Sequence, residues 1–235
     1  MSLRKLKLRI RIKVSSMNVI ILCEESQAVC LAFRNRGHNA FSCDLQKCSG
    51  GHPEFHFNIS CWDVLKCGLL ELESGKKIEI EKWDLVIGHP PCTYLCSSGE
   101  KWFNIDTYWD QACIRWSNRL EAVKFFFKMW KLGKKIGKVC LENPVGYINS
   151  ILKPSQIIHP YYFGDEFQKT TCLWIYGLPL LYHNKEDNIF FNKTHVCKQE
   201  VNSKWILSLQ PSEDRSKLRS KTFQGIANAM AEQWG

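Results

Sequence analysis

The feature that most constrains the fold is the run Trp83-Asp84-Leu85-Val86-Ile87-Gly88-His89-Pro90-Pro91-Cys92. Its apolar centre is short and does not alternate with polar residues, the pattern of a parallel strand buried on both faces. It stops at two prolines, which fix the backbone and cannot continue a hydrogen-bonded ladder. Two other runs have the same form. Asn18-Val19-Ile20-Ile21-Leu22 leads into Cys23-Glu24-Glu25-Ser26-Gln27, and Lys138-Val139-Cys140-Leu141 leads into Glu142-Asn143-Pro144. Helical patterns lie between them. Ser26 reads as the cap of a helix through Ala28, Val29, Leu31, Ala32 and Phe33, stopped by Gly37, and an amphipathic helix is expected from about Tyr108 to Leu132. Strand and helix in alternation predict an α/β fold, a mostly parallel sheet with helices on both faces.

Smaller elements complete this reading. Ala40–Cys43 is expected to be a second strand ending at Asp44, and the stretch around Phe55–Ile59 a short third one. Leu65–Lys82 reads as helix and turn. Tyr161–Phe163 and Thr171–Ile175 read as a hairpin that gives the sheet an antiparallel edge, and Thr222–Trp234 as a closing helix. Trp109, Trp116 and Trp130 recur at helical spacings of seven and fourteen and are assigned to the core.

A chain of 235 residues fits one domain. The expected organisation is a basic extension over 1–16, then a single catalytic domain over 17–235 with a small insertion at about 177–218. Six of the cations behind the formal charge of +9 lie in the first sixteen residues (Arg4, Lys5, Lys7, Arg9, Arg11, Lys13), so without them the balance falls to +3. Such an arm suits nucleic acid or is an appendage outside the fold. No apolar run approaches the roughly 20 residues of a membrane span, and the basic N-terminus has no apolar stretch behind it. Twelve cysteines without a CxxC pair read as reduced thiols in a cytoplasmic protein, and no metal site is expected, although His183, His195 and Cys197 are of ligand type.

Chemistry is expected at the carboxyl ends of the strands, where ligands bind in open α/β sheets. Asp44, about twenty residues after the first turn, suits ribose hydroxyls. The first turn lacks the glycines of a pyrophosphate cradle, which argues against NAD and leaves room for a cofactor without phosphates, such as S-adenosylmethionine, whose ammonium Glu24 would meet. A nearby helix N-terminus is expected to lower the pKa of Cys92. A thiolate adding to carbon 6 of a pyrimidine makes carbon 5 nucleophilic, and a carboxylic acid at Glu142 would relieve charge at ring nitrogen 3.

Gly88-His89-Pro90-Pro91-Cys92 resembles the Pro-Cys motif of the cytosine carbon-5 DNA methyltransferases, and Glu142-Asn143-Pro144 is similar to that family's Glu-Asn motif. The resemblance covers most of Val19 to Pro144. In the short phage-encoded members it extends to Phe163-Gly164, Lys169–Trp174, Arg219–Phe223 and Gly225–Trp234. It implies a Rossmann-like S-adenosylmethionine-dependent methyltransferase fold, with Cys92 as nucleophile and Glu142 as the acid at the base. Cys23, Glu24, Ser26, Asp44, Asn58, Gly88, His89 and Pro90 would line the cofactor site, and Pro91, Asn143 and Lys169 the substrate site. Gln168–Cys172 stands where the family carries arginines, so Lys169 is the one cation available there.

The implied activity is methylation of cytosine carbon 5 in DNA, in the host cytoplasm if the chain is phage-encoded. The space for a target-recognition domain, about forty residues, is too small for an independent reader of duplex sequence. A protein partner supplying recognition, a pyrimidine nucleotide or single strand as substrate, and a non-catalytic binding protein that keeps the fold are the alternatives. The polar segment Cys96–Tyr108 reads as a lid or as a plain surface loop.

Overall fold

The computed structural model of the chain describes residues 16–183 and 221–235. The basic arm, most of the 177–218 insertion, His195, Cys197 and Arg219-Ser220 lie outside the described residues.

Seven strands form one sheet in the spatial order β3-β2-β1-β6-β7-β9-β8. They are β1 (Asn18–Leu22), β2 (Asn39–Cys43), β3 (His56–Phe57), β6 (Leu85–Gly88), β7 (Val139–Pro144), β8 (Gln156–Ile158) and β9 (Thr171–Tyr176). From β3 through β7 every pairing is parallel. β9 runs antiparallel to β7, and β8 antiparallel to β9. This is a mixed α/β architecture, mostly parallel with an antiparallel hairpin at one edge, and is compatible with a Rossmann-like arrangement. The chain steps outward from β1 to β2 and β3, then returns to lay β6 on the other side of β1. That reversal opens a crevice at the carboxyl ends of β1 and β6.

Each face of the sheet carries its own core. On one side Val19, Ile21, Leu85 and Ile87 pack with α1 (Ala28–Arg34) and the C-terminal helix (Gln224–Trp234), through Phe33, Ile226, Met230 and Trp234. On the other, Ile20, Leu22, Val86 and Leu141 pack with Phe126 and Met129 of the long helix α3 (Ile105–Ile136). Alternate side chains of one strand thus feed opposite cores, which is why these strands are apolar throughout. Among the described residues no helix is long and apolar enough to cross a membrane.

Three expectations change. Leu65–Lys82 is not helical: after the one-turn α2 (Cys61–Val64), β4 (Gly68–Glu71) and β5 (Lys77–Ile80) form an antiparallel hairpin. Its turn, Ser74-Gly75, has Gly75 at φ 83°, a backbone that favours glycine, and this local signal outweighs the helical spacing of the apolar residues. The edge hairpin pairs β9 with Gln156–Ile158, because Pro160 diverts Tyr161–Phe163 into a 3-10 turn. Finally, Trp109 and Trp116 are 68% and 38% exposed, while Trp130 packs against the core. The helix is kinked at Tyr108, and even beyond that kink, at 1.5 Å per residue, it far outreaches strands of four to six residues, so the sheet covers only its second half.

Candidate active site

Strand register assembles the site. Leu22 is level with Gly88, and Gly88 with Leu141. The next residues, Cys23, His89 and Glu142, therefore leave three adjacent strands at one height. The His89 amide donates to the Leu22 carbonyl at 2.9 Å and continues the β1–β6 ladder one residue past the strand. His89 Nδ1 lies 3.2 Å from Glu142 Oε2, with both side chains about nine-tenths buried (9% and 10% exposed). An ionised carboxylate only accepts, so Nδ1 carries the hydrogen and donates it. His89 Nε2 is buried without a hydrogen-bond partner. His89, expected beside the cofactor, thus faces the Glu142 side of the site.

Gly88 itself is dictated by packing. A Cβ there would run into the Met129 thioether and the Leu141 side chain, so the α3 core reaches the strand only over a glycine.

Asn143 holds the turns after β6 and within the end of β7 together. Its side-chain amide donates to the Pro90 carbonyl at 2.7 Å and to the Glu142 carbonyl at 2.8 Å, while its Oδ1 is buried and unpartnered. A second clamp follows one turn later. The Tyr147 amide donates to the Leu95 carbonyl at 2.7 Å, and Cys96 bridges to Gly146. Any side chain at Gly146 would collide with the Leu95 carbonyl, so this approach requires glycine. The prolines set where Cys92 leaves the sheet, and these clamps set where its loop goes.

No helix starts at Cys92; the next element is the 3-10 stretch Ser97–Phe103. Burial, together with the Glu142 and Cys96 charges, pushes the thiol up to about 11, against the opposing pull of Lys169. This overturns the expected lowering, because the helix N-terminus that would have supplied it is absent. Glu142 moves the other way. Burial pushes its carboxyl up, but the His89 hydrogen bond and the Lys169 and His89 charges outweigh it and hold the group below its ordinary value. Glu142 is therefore an anion at neutral pH. Lys169 reaches this end of the sheet because β9 runs antiparallel and begins beside Pro144, the last residue of β7.

On the β1 side the expectations need revision. Ser26 does not cap α1. The cap position is Gln27, in the left-handed region at φ 61°, and it makes no side-chain cap bond. The cap comes from Glu24, whose two oxygens accept from the Val29 and Cys30 amides at 2.6 and 3.2 Å. Glu24 is buried, and burial raises its pKa against those amides and the His89 charge. A carboxylate committed to a helix N-terminus is not the free partner expected for an ammonium group. Gln27 instead anchors the following loop, accepting from the His52 amide and donating to the His52 carbonyl. Asp44 Oδ1 accepts from the Gln46 amide, and Asn58 is exposed and donates to the Asp44 and Leu45 carbonyls, so Asn58 shapes the β2 turn. Cys23 is half-buried at φ 57° beside that turn. Pro90 is buried, and Pro91 is exposed at the rim.

Arg119 was not anticipated from the sequence. It is 1% exposed, donates through Nε to the Tyr94 carbonyl at 2.9 Å and pairs both terminal nitrogens with Glu100 at 3.0 and 2.7 Å. Its guanidinium lies 3.4 Å from the Phe103 ring centre. One buried cation thus pins the segment after Cys92 at both ends. The only hint was its heptad register with the buried Ala112, Phe126 and Gly133, since an arginine on a core face demands partners.

His183 stacks on Tyr162 at 4.2 Å, and among the described residues no group of three metal-ligating side chains occurs. No protein-family model matches the chain, and neither does any curated protein.

Proposed function

We propose that the protein is an S-adenosylmethionine-dependent methyltransferase acting on carbon 5 of cytosine in DNA, with a Rossmann-like methyltransferase fold. The observation that carries this reading is the meeting of Cys92 and Glu142 at neighbouring strand ends, close enough for the Glu142 charge to act on the thiol, with the Lys169 cation acting on both. A nucleophile and a carboxylate on rigid turns are what covalent activation of a pyrimidine needs. Cys92 Sγ bonds to carbon 6, nitrogen 3 gains a proton at Glu142, and carbon 5 takes the methyl group. Loss of the carbon-5 proton then expels the thiolate.

The crevice between β1 and β6 supports a cofactor next to this pocket. Cys23 and Asp44 follow the carboxyl ends of β1 and β2, and His89 and Pro90 follow that of β6. S-adenosylmethionine would supply the electrophilic methyl there. Asp44 keeps one side-chain oxygen without a hydrogen bond and suits ribose hydroxyls; Glu24 braces the turn from behind. Lys169 suits a phosphate or the base, as a point charge and not as a bidentate fork.

The small space for a recognition domain favours a second substrate form, a single strand or nucleotide, or else a protein partner that reads sequence. The test is transfer of labelled methyl from S-adenosylmethionine to duplex DNA, single strands and cytidine nucleotides, followed by digestion to nucleosides. Label in 5-methylcytosine supports the reading and identifies the substrate form. Label in an exocyclic amine, or none on any substrate, contradicts it.

A further inference from the structure

Protonation of nitrogen 3 poses a problem of supply. Glu142 is held as an anion, so it has no proton of its own to give, yet adding sulfur to carbon 6 places negative charge on nitrogen 3. The immediate neighbour of Glu142 is His89. Register fixes that contact: Gly88 and Leu141 are partners, so His89 and Glu142 follow them at one level. The imidazole is nine-tenths buried, donates Nδ1–H to Oε2 at 3.2 Å and leaves Nε2 without a protein partner. Glu24, from the β1 turn, places a second buried carboxylate within electrostatic range of the ring. The charged and titratable groups acting with His89 are therefore Glu24 from the β1 turn and Glu142 from β7, with Lys169 acting on Glu142.

We infer that His89 is a positioning and proton-supplying residue that acts through Glu142, a role that rests on the methyltransferase reading above. The Cys92 thiol gives its proton to solvent as sulfur bonds to carbon 6; the carbon 5–carbon 6 pair moves to form a double bond between carbons 5 and 4, and the carbon 4–nitrogen 3 pair moves onto nitrogen 3. Nitrogen 3 takes a proton from the Glu142 carboxyl, and that carboxyl takes the Nδ1 proton of an imidazolium. His89 is left neutral. After methyl transfer, carbon 5 loses its proton to solvent, and sulfur departs with its bonding pair and takes a proton back from solvent. The nitrogen-3 proton then returns through Glu142 to His89, so the pair ends the cycle as it began. The second task of the Nδ1–H bond is orientation. It engages Oε2 and leaves Oε1 for the base.

The test uses the whole protein and two readouts. The first is the rate of covalent trapping of Cys92 by 5-fluorocytosine DNA with S-adenosylmethionine, followed against pH in wild type, His89→Gln and His89→Ala. Glutamine retains an N–H donor for Glu142 but holds no exchangeable charge. The expected result is a fall on the order of 10²-fold in His89→Gln, with loss of the limb on which the wild-type rate declines as His89 deprotonates. The second readout is the ¹⁵N titration of the His89 ring without any ligand, which should move to lower pH in Glu142→Gln because the neighbouring anion is gone. A wild-type rate and pH profile in His89→Gln would overturn the inference alone. So would equal losses in both His89 variants with the pH limb retained, since that marks orientation only. An unmoved titration in Glu142→Gln would overturn the pairing itself. A coupled titration with no trapping on any pyrimidine probe would overturn the methyltransferase reading and, with it, the destination of the proton.

Discussion

Burial and the Glu142 anion hold Cys92 as a thiol at neutral pH, so its reactivity carries the signature of its neighbours. Alkylation by iodoacetamide, read by mass spectrometry of the Cys92 peptide, should rise about tenfold per pH unit on approaching pH 11. Glu142→Gln removes an anion, favours the thiolate and should speed alkylation at pH 8. Lys169→Met removes a cation and should slow it. The same rate in all three proteins would show that these charges do not act on the sulfur. At this scale the placing of Cys92 and Glu142 at strand ends was legible, because each follows an apolar run that reads as a strand. The roles of Glu24 and Ser26 were not. They depend on the left-handed backbone of Gln27, which brings the Glu24 carboxylate under the α1 amides, and no pattern of residue types announces that.

Between residue and fold stands the tethered segment from Cys92 to Phe103. It overlaps Cys96–Tyr108, read from the sequence as either a lid or a plain loop, and is tied to α3 by Arg119 and to the β7–α4 turn by Gly146, where α4 is Tyr147–Ile151. Arg119→Ala leaves the Tyr94 carbonyl and Glu100 without their partner and should cost about 3 kcal/mol, measured by denaturant unfolding. Hydrogen exchange should rise over residues 94–103 above any global change. Gly146→Ala should cost a similar amount, about 2–3 kcal/mol from overpacking against backbone that cannot step aside, and should lower Cys92 trapping. Trp109→Ala, by contrast, should change stability by less than about 0.5 kcal/mol, since the side chain lies on the surface. Helical spacing placed Trp109 on one face of α3 with Trp116, but spacing does not say how far a helix outruns the sheet beneath it.

Across the whole molecule, the layered architecture was the most legible part. Three doubly buried strands with polar ends imply a mostly parallel sheet covered on both sides, while the order β3-β2-β1-β6-β7 is visible only in the fold. The β4–β5 hairpin and the true partner of β9 escaped notice because short, mixed segments are decided by single turn residues, Gly75 and Pro160, and not by periodicity. The topology places the reversal beside β1, and a cofactor in that crevice should stabilise the fold. S-adenosylhomocysteine at about a hundred times its Kd should add about 2.7 kcal/mol, a rise in Tm of roughly 5–10 °C, and Asp44→Ala should abolish most of it. An unchanged Tm at saturating ligand would count against the cofactor assignment.

The central claim is that Cys92 is the nucleophile of a cytosine carbon-5 methyl transfer. Its most direct test is intact-mass analysis after incubation with S-adenosylmethionine and DNA containing 5-fluorocytosine, in which fluorine blocks the release step. The account predicts a denaturation-resistant complex with the mass of protein plus methylated oligonucleotide, mapped to the Cys92 peptide and absent in Cys92→Ser. A complex that persists in Cys92→Ser, or none with duplex, single strand or nucleotide, would contradict it.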